Sequence, residues 1–124
     1  MTVLVDSDIL IEVSRRKNSQ VLSRWMGLGE SDTLLMYSPV TAAELWAGAL
    51  PQEERLLRDL FAALACAVID EAIGARAGAY LRQYHRSHSV EMGDALIAAS
   101  AVQNRAALWT RNRKHFPMKE VEFF

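Results

Sequence analysis

Residues 3–14 read VLVDSDILIEVS, and the fold of the whole chain turns on this stretch. Val3, Leu4 and Val5 extend a short β-rich run that begins at Thr2, whereas Ile9, Leu10 and Val13 recur at helical spacing. A strand therefore passes directly into a helix, and the junction carries two carboxylates, Asp6 and Asp8, on either side of Ser7. Such neighbours repel each other and are costly to remove from water. Something elsewhere in the chain has to make them worthwhile.

The same alternation continues to the C-terminus. TLLMYS (33–38) reads as a second strand, CAVI (66–69) as a third, ALWT (107–110) as a fourth and VEFF (121–124) as a fifth. Between them lie helical patterns. Asn18 or Ser19 caps one through Val21, Leu22, Trp25 and Met26, with Gly27 and Gly29 stopping it. TAAELWAGAL (41–50) forms another, and Pro51 opens PQEERLLRDLFAAL. Asp70 caps EAIGARAGAYLRQYHRS, where Gly74 and Gly78 suggest close helix packing, and DALIAASAVQNRA (94–106) is apolar nearly all round, hence buried. Strands alternating with helices specify an α/β fold with a parallel sheet and helices on both faces. Ligands in such sheets bind beyond the C-terminal strand ends, where the strand order reverses. Asp6 and Asp8 stand at such an end.

Composition narrows the classes. The 124 residues fit one domain spanning 1–124, and a net charge of −1 offers no general attraction to a polyanion, so any nucleic acid must be held by local basic patches or by bound cations. The single cysteine, Cys66, excludes an intramolecular disulfide and reads as a small buried hydrophobe. No window is apolar enough to span a bilayer and no basic leader precedes one, which points to the cytoplasm and away from a membrane.

Three more polar positions compare with the Asp6–Asp8 pair, and each, like Asp6 itself, has a plain structural reading. Glu44 completes a capping box with Thr41. Asp94 is an acid at a helix start. Asp6 caps its own helix, and Asn112 makes a turn after a strand. Taken together they change meaning, because a parallel sheet brings strand ends and the following helix starts to one edge. Three carboxylates meeting there call for a divalent cation, and oxygen ligands without a His/Cys cluster suit Mg²⁺ or Mn²⁺ rather than zinc. The expected chemistry is metal-assisted attack of water on a phosphodiester. No Ser/His/Asp or Cys/His nucleophile arrangement is visible.

This ordered set resembles a VapC-type PIN-domain ribonuclease, the toxin half of a bacterial toxin–antitoxin pair. The resemblance rests on the strand followed by Asp6-Ser7-Asp8, Glu44 in TAAELWAG, Asp94 opening DALIAASA, and Thr110, Asn112 and Phe116 in LWTRNRKHF. It implies a three-layer α/β/α sandwich around the parallel sheet, with Asp6, Glu44 and Asp94 as metal-binding carboxylates and Asn112 as the fourth catalytic position. Ser7, Asp8 and Thr110 take supporting places. Asn112 replaces an acid found in some relatives, and Glu91 is either a supplement to the acidic set or a solvated side chain. Arg111, Arg113 and Lys114 become candidate contacts to RNA phosphates. The resemblance further implies a homodimer silenced by a VapB-like antitoxin in a larger assembly.

Two other families share parts of the pattern. VLVDSD looks like the first motif of haloacid-dehalogenase-type phosphatases, but Ile9 and Leu10 replace the residues expected after the second Asp. A phospho-receiver domain would use Asp6 and Asp8 for Mg²⁺, Asp70 as phosphoacceptor, Thr110 as switch and Lys114 or Lys119 as cation. It leaves Glu44 and Asp94 without a task.

Overall fold

The first strand is the hub of the structure. In the computed structural model, which describes residues 1–124, Val3, Leu4 and Val5 are all essentially inaccessible to solvent. Side chains alternate across a strand. Val3 and Val5 accordingly join an apolar cluster on one face of the sheet and Leu4 joins another on the opposite face.

The elements follow as β1 (Thr2–Val5), α1 (Ser7–Arg15), α2 (Ser19–Gly29), β2 (Leu34–Tyr37), α3 (Pro39–Ala47), α4 (Glu54–Ala62), β3 (Ala65–Cys66), α5 (Glu71–His88), α6 (Met92–Gln103) and β4 (Ala107–Trp109). The four strands are parallel in the order β3-β2-β1-β4. Residues of α1, α2, α3 and α4 pack with Val3, Val5 and Trp109, whereas α5 and α6 pack with Leu4 and Leu108. The result is the expected three-layer α/β/α sandwich. Because β2 and β4 flank β1 on opposite sides, the strand order reverses between β1 and β4, and a crevice opens beyond their C-terminal ends.

Side-chain caps decide where the helices begin. Asn18 Oδ1 accepts from Val21 N at 3.0 Å, and Asp70 Oδ1 accepts from Ile73 N at 3.0 Å. Ser38, fully buried, accepts from Val40 N at 3.1 Å, with Pro39 at the first helical position. Ser38 therefore starts α3, three residues before the Thr41 start expected from the capping box. Thr41 lies inside the helix, and Glu44 is free of any capping duty. α6 is buried along most of its length, and its alanines let it sit close against the sheet and α5.

Four local expectations are corrected. VEFF does not form a fifth strand; it contributes one parallel bridge, Phe123 to Leu108. Pro51 opens a short 3₁₀ turn (Pro51–Glu53), and α4 starts only at Glu54. Gly27 lies within α2 rather than stopping it, and the helix ends at Gly29. Cys66 is exposed, because β3 is a two-residue strand at the sheet edge.

Gly74 and Gly78 correct a further reading. A methyl group built at either position meets nothing within 4 Å, so neither glycine serves close packing; Ile73, Ala77 and Tyr80 form the buried face of α5. Replacing both with alanine should remove backbone freedom from the unfolded chain at no steric cost. Each change is expected to stabilise by about 0.4–1 kcal/mol. Thermal melting of the double variant should rise by roughly 3–8 °C, and an unchanged or lower midpoint would show that this face of α5 is occupied in solution.

Candidate active site

Asp6 ends β1, and its amide donates to Trp109 O at 3.0 Å, which ties it to the end of β4. Its carboxylate is buried and doubly held. Oδ1 accepts from Ser7 N at 2.9 Å, the cap of α1, and Oδ2 accepts from the Thr110 hydroxyl at 2.8 Å. Thr110 Oγ1 in turn accepts from Asn112 N at 3.1 Å. The structural reading of Asp6 as a cap is therefore correct, and so is its place at the crevice. One side chain does both.

Asp94 is similarly divided. Its Oδ2 accepts from Glu91 N at 3.1 Å across the first turn of α6, while Oδ1 lies 3.8 Å from His115 Nδ1. Glu44 reaches the same space from the middle of α3. A cavity of about 600 Å³ is lined by Asp6, Ser7, Glu44, Glu91, Asp94 and Asn112, together with His88 and His115. Four of these side chains are carboxylates. No lysine or arginine lines the cavity.

The electrostatic strain is visible in the acids themselves. Burial raises the Asp6 carboxyl above the ordinary carboxylate range; the Thr110 hydrogen bond opposes this, the charge of Asp8 adds to it, the Ser7 amide opposes it, and Asp94 adds again. Glu44 is raised first by desolvation at the cavity wall, then by the charges of Asp6 and Asp94. These groups sense one another across the cavity.

The donor set is dominated by carboxylates, with a hydroxyl, an amide and the imidazoles of His88 and His115 around them. No group of three or more His, Cys, Asp or Glu side chains stands in an arrangement that would hold a metal ion alone. That combination suits a hard cation which keeps part of its water shell and takes phosphate oxygens, the habit of Mg²⁺. It does not suit a closed zinc site.

Other expected residues fall around this cavity. Asp8 does not line it; it faces a separate depression with Ile11, Glu12, Arg111 and Asn112. Glu91, read from sequence as supplement or solvated acid, is exposed and lines the cavity. Asp70 caps α5 and lies outside the cavity, which leaves the receiver pattern without its phosphoacceptor. His88, at the end of α5, lines the wall; its sequence signal, a basic helix terminus, is indistinguishable from ordinary dipole compensation. Arg111, Arg113 and Lys114 line an adjoining depression with Thr110 and Asn112.

The comparisons with known proteins meet this geometry. A family model described as PIN domain matches residues 3–122. The chain belongs to the PIN-domain family. This PIN domain is 40% identical over 120 residues to Ribonuclease VapC10 of Mycobacterium tuberculosis (strain CDC 1551 / Oshkosh), which covers 95% of this chain and 88% of that protein. Its fold is similar to a chain of the toxin-antitoxin complex from Klebsiella pneumoniae, with a TM-score of 0.77 and 25% identity over 96% of this chain and 94% of that one. It is also similar to a chain of VapBC-1 from nontypeable Haemophilus influenzae, with a TM-score of 0.82 and 22% identity over 100% and 97% of the two chains. The PIN domain thus stands among the VapC-type members of its family, as its motifs suggested.

Within this PIN domain, Thr110 is the only side chain that donates to Asp6. Thr110→Val should remove a bond that favours the ionised carboxylate and so raise its pKa further. The acid limb of a cleavage profile should move to higher pH, whereas Thr110→Ser should leave it in place. Identical profiles for the two variants would show that Thr110 does not govern the ionisation of Asp6.

Proposed function

We infer that the chain is a divalent-cation-dependent endoribonuclease and the toxin of a VapBC-type pair. The observation that carries this reading is the cavity at the β1–β4 crevice, lined by four carboxylates with no lysine or arginine among them. The relative named as a ribonuclease, alike over almost the whole chain, supports the substrate class.

Asp6, Glu44 and Asp94 are the residues that would hold Mg²⁺, or Mn²⁺ in its place. When bound, the cation offsets the charge that develops on the phosphate under attack by water. Asp6 is held by its two hydrogen bonds and so presents a fixed charge. Glu44, raised from its ordinary value by burial and by the charges of Asp6 and Asp94, completes the acidic wall that the cation would neutralise. Asn112 contributes an amide at the rim without adding charge. The basic loop supplies the phosphate contacts unevenly. Arg111 pairs with Glu12 at 3.2 Å and the Arg113 guanidinium lies over the Phe123 ring, whereas Lys114 is exposed and pairs with no acid.

The direct test is cleavage of RNA by protein free of contaminating nuclease. Cutting should require Mg²⁺ or Mn²⁺, stop in EDTA and return when the ion is restored. Undiminished cleavage in EDTA would sink the proposal. The partners follow from the same reading: a homodimer, and a VapB-like antitoxin whose Arg or Lys neutralises the cavity carboxylates. The structures similar to this chain include a toxin-antitoxin complex, which supports that pairing. A cytoplasmic site of action follows from the proposed RNA substrate and antitoxin partner; no helix is long and apolar enough to cross a membrane.

A further inference from the structure

We propose that Asp8 is a positioning residue, not a metal ligand: its carboxylate holds the loop after β4 and thereby places Asn112 at the rim of the acidic cavity. The proposal rests on the nuclease reading above and assigns a task to the second acid of the Asp6-Ser7-Asp8 triplet.

Asp8 Oδ2 accepts from Arg111 N at 2.8 Å, a contact between residues 103 positions apart in sequence. Four residues on along α1, Glu12 takes the Arg111 guanidinium at 3.2 Å. The first turns of α1 thus grip the same residue by its backbone and by its side chain. Arg111 lies between two others that are also fixed, since Thr110 donates to Asp6 and Asn112 N donates to Thr110. Every residue from 110 to 112 is anchored, and two of the three anchors lead directly to the Asp6–Asp8 pair.

The position of Asn112 gives this anchoring a purpose. Asn112 lines the acidic cavity on one side and the Asp8 depression on the other. It is the partition between them, and its own side chain makes no capping bond. A rim residue with an untied side chain keeps its geometry only through its backbone. The other Asp8 oxygen, Oδ1, is buried and has no hydrogen-bond partner. An unsatisfied carboxylate oxygen is costly, and an asparagine at position 8 would carry the same acceptor for Arg111 N without that buried charge. What the Arg111 amide requires of residue 8 is an acceptor at a set reach, and a negative charge is not needed for that bond.

Charge and reach are separated by two variants. Asp8→Asn keeps the acceptor and discards the charge; Asp8→Glu keeps the charge and moves the acceptor by one methylene. Expected for Asp8→Asn is a kcat within about threefold of the parent, because the reach is retained. Asp8→Glu should lose roughly 10- to 100-fold in kcat with little change in KM, the mark of a displaced group near the reaction. Mn²⁺ affinity, measured by calorimetry without RNA, should stay within about threefold of the parent in both variants, the small effect of a nearby charge and not the loss of a ligand. Exchange of the Arg111 amide, followed by NMR, should accelerate in Asp8→Glu alone. The opposite ranking, with Asn inactive and weak for Mn²⁺ and Glu active, would make Asp8 a ligand and overturn the proposal. Parent-like kcat in both variants would overturn it as well. If the parent itself cuts no RNA, the nuclease reading fails, while the amide exchange and Mn²⁺ measurements still decide what Asp8 holds.

Discussion

Asp6→Asn is expected to lower RNA cleavage by about 10²- to 10³-fold or more, on the scale of removing a preorganised charge from beside a reacting centre. The same change should make the metal-free protein more stable. Asparagine still accepts from Ser7 N and still caps α1, so the helix start survives while a repelled, desolvated charge disappears. The pH dependence has a definite sign. Burial first, and then Asp8 and Asp94, raise the Asp6 pKa in the folded state, so the native protein binds this proton more tightly than the unfolded chain. At a pH below the ordinary carboxylate range Asp6 is neutral in both states, and parent and variant should melt together. As pH rises through the ordinary value and past the raised one, the parent alone acquires the buried charge. Melting in EDTA should show the variant's advantage growing with pH over that interval, and saturating Mg²⁺ should reverse it by favouring the parent. Asp94→Asn should likewise suppress cleavage while keeping the start of α6, because the bond to Glu91 N needs only one oxygen. An active Asp6→Asn enzyme, or a variant less stable at neutral pH without metal, would leave capping as the only function of this residue.

The second large effect concerns Leu4. It is the central residue of β1, 1% exposed, and sends its side chain into the cluster formed by α5 and α6. Both flanks are strands, Met36 on one side and Leu108 on the other. The surroundings therefore cannot collapse into a gap, and Leu4→Ala should cost about 3–5 kcal/mol. For a chain of this size that amounts to a melting point lower by roughly 10–20 °C. Val3→Ala, on the opposite face, removes less volume and should cost less. The comparison is made by thermal or urea unfolding at fixed pH in EDTA. A loss under 1 kcal/mol at Leu4 would show that the two layers are not joined through β1 as described.

Much of this architecture could be read from residues alone, and the reason is physical. Val3–Val5 followed by Ile9, Leu10 and Val13 changes period from strand to helix within a few positions, and only an α/β crossover satisfies that. The alanine-rich run after Asp94 is apolar on every side, so it had to be buried. Asp6, Glu44 and Asp94 do line one cavity. What escaped depends on direction or on neighbours far away in sequence. Small residues at Gly74 and Gly78 do not say which way that side of α5 looks, and it looks outward. Cys66 is apolar in context but belongs to an edge. Ser38 was hidden behind the more familiar Thr41/Glu44 spacing, although Ser-Pro is an equally sound helix start. Asp6 and Asp8 look equivalent in the sequence, yet only the docking of β4 distinguishes them, giving Thr110 to one and the Arg111 amide to the other.

The sheet order has a consequence for how the protein comes into being. β1 is made well before one of its two partners, β4, and Asp6 waits through 104 residues for Thr110. Until then the crevice has a single wall and Asp6 lacks its hydroxyl donor. Contacts this remote in sequence are slow to form, since loop closure must precede any gain from them. A growing chain on the ribosome is consequently without a finished cavity, and competence arrives abruptly when the closing strand docks. For a nuclease whose own messenger and translating ribosome lie within reach, that timing separates manufacture from action.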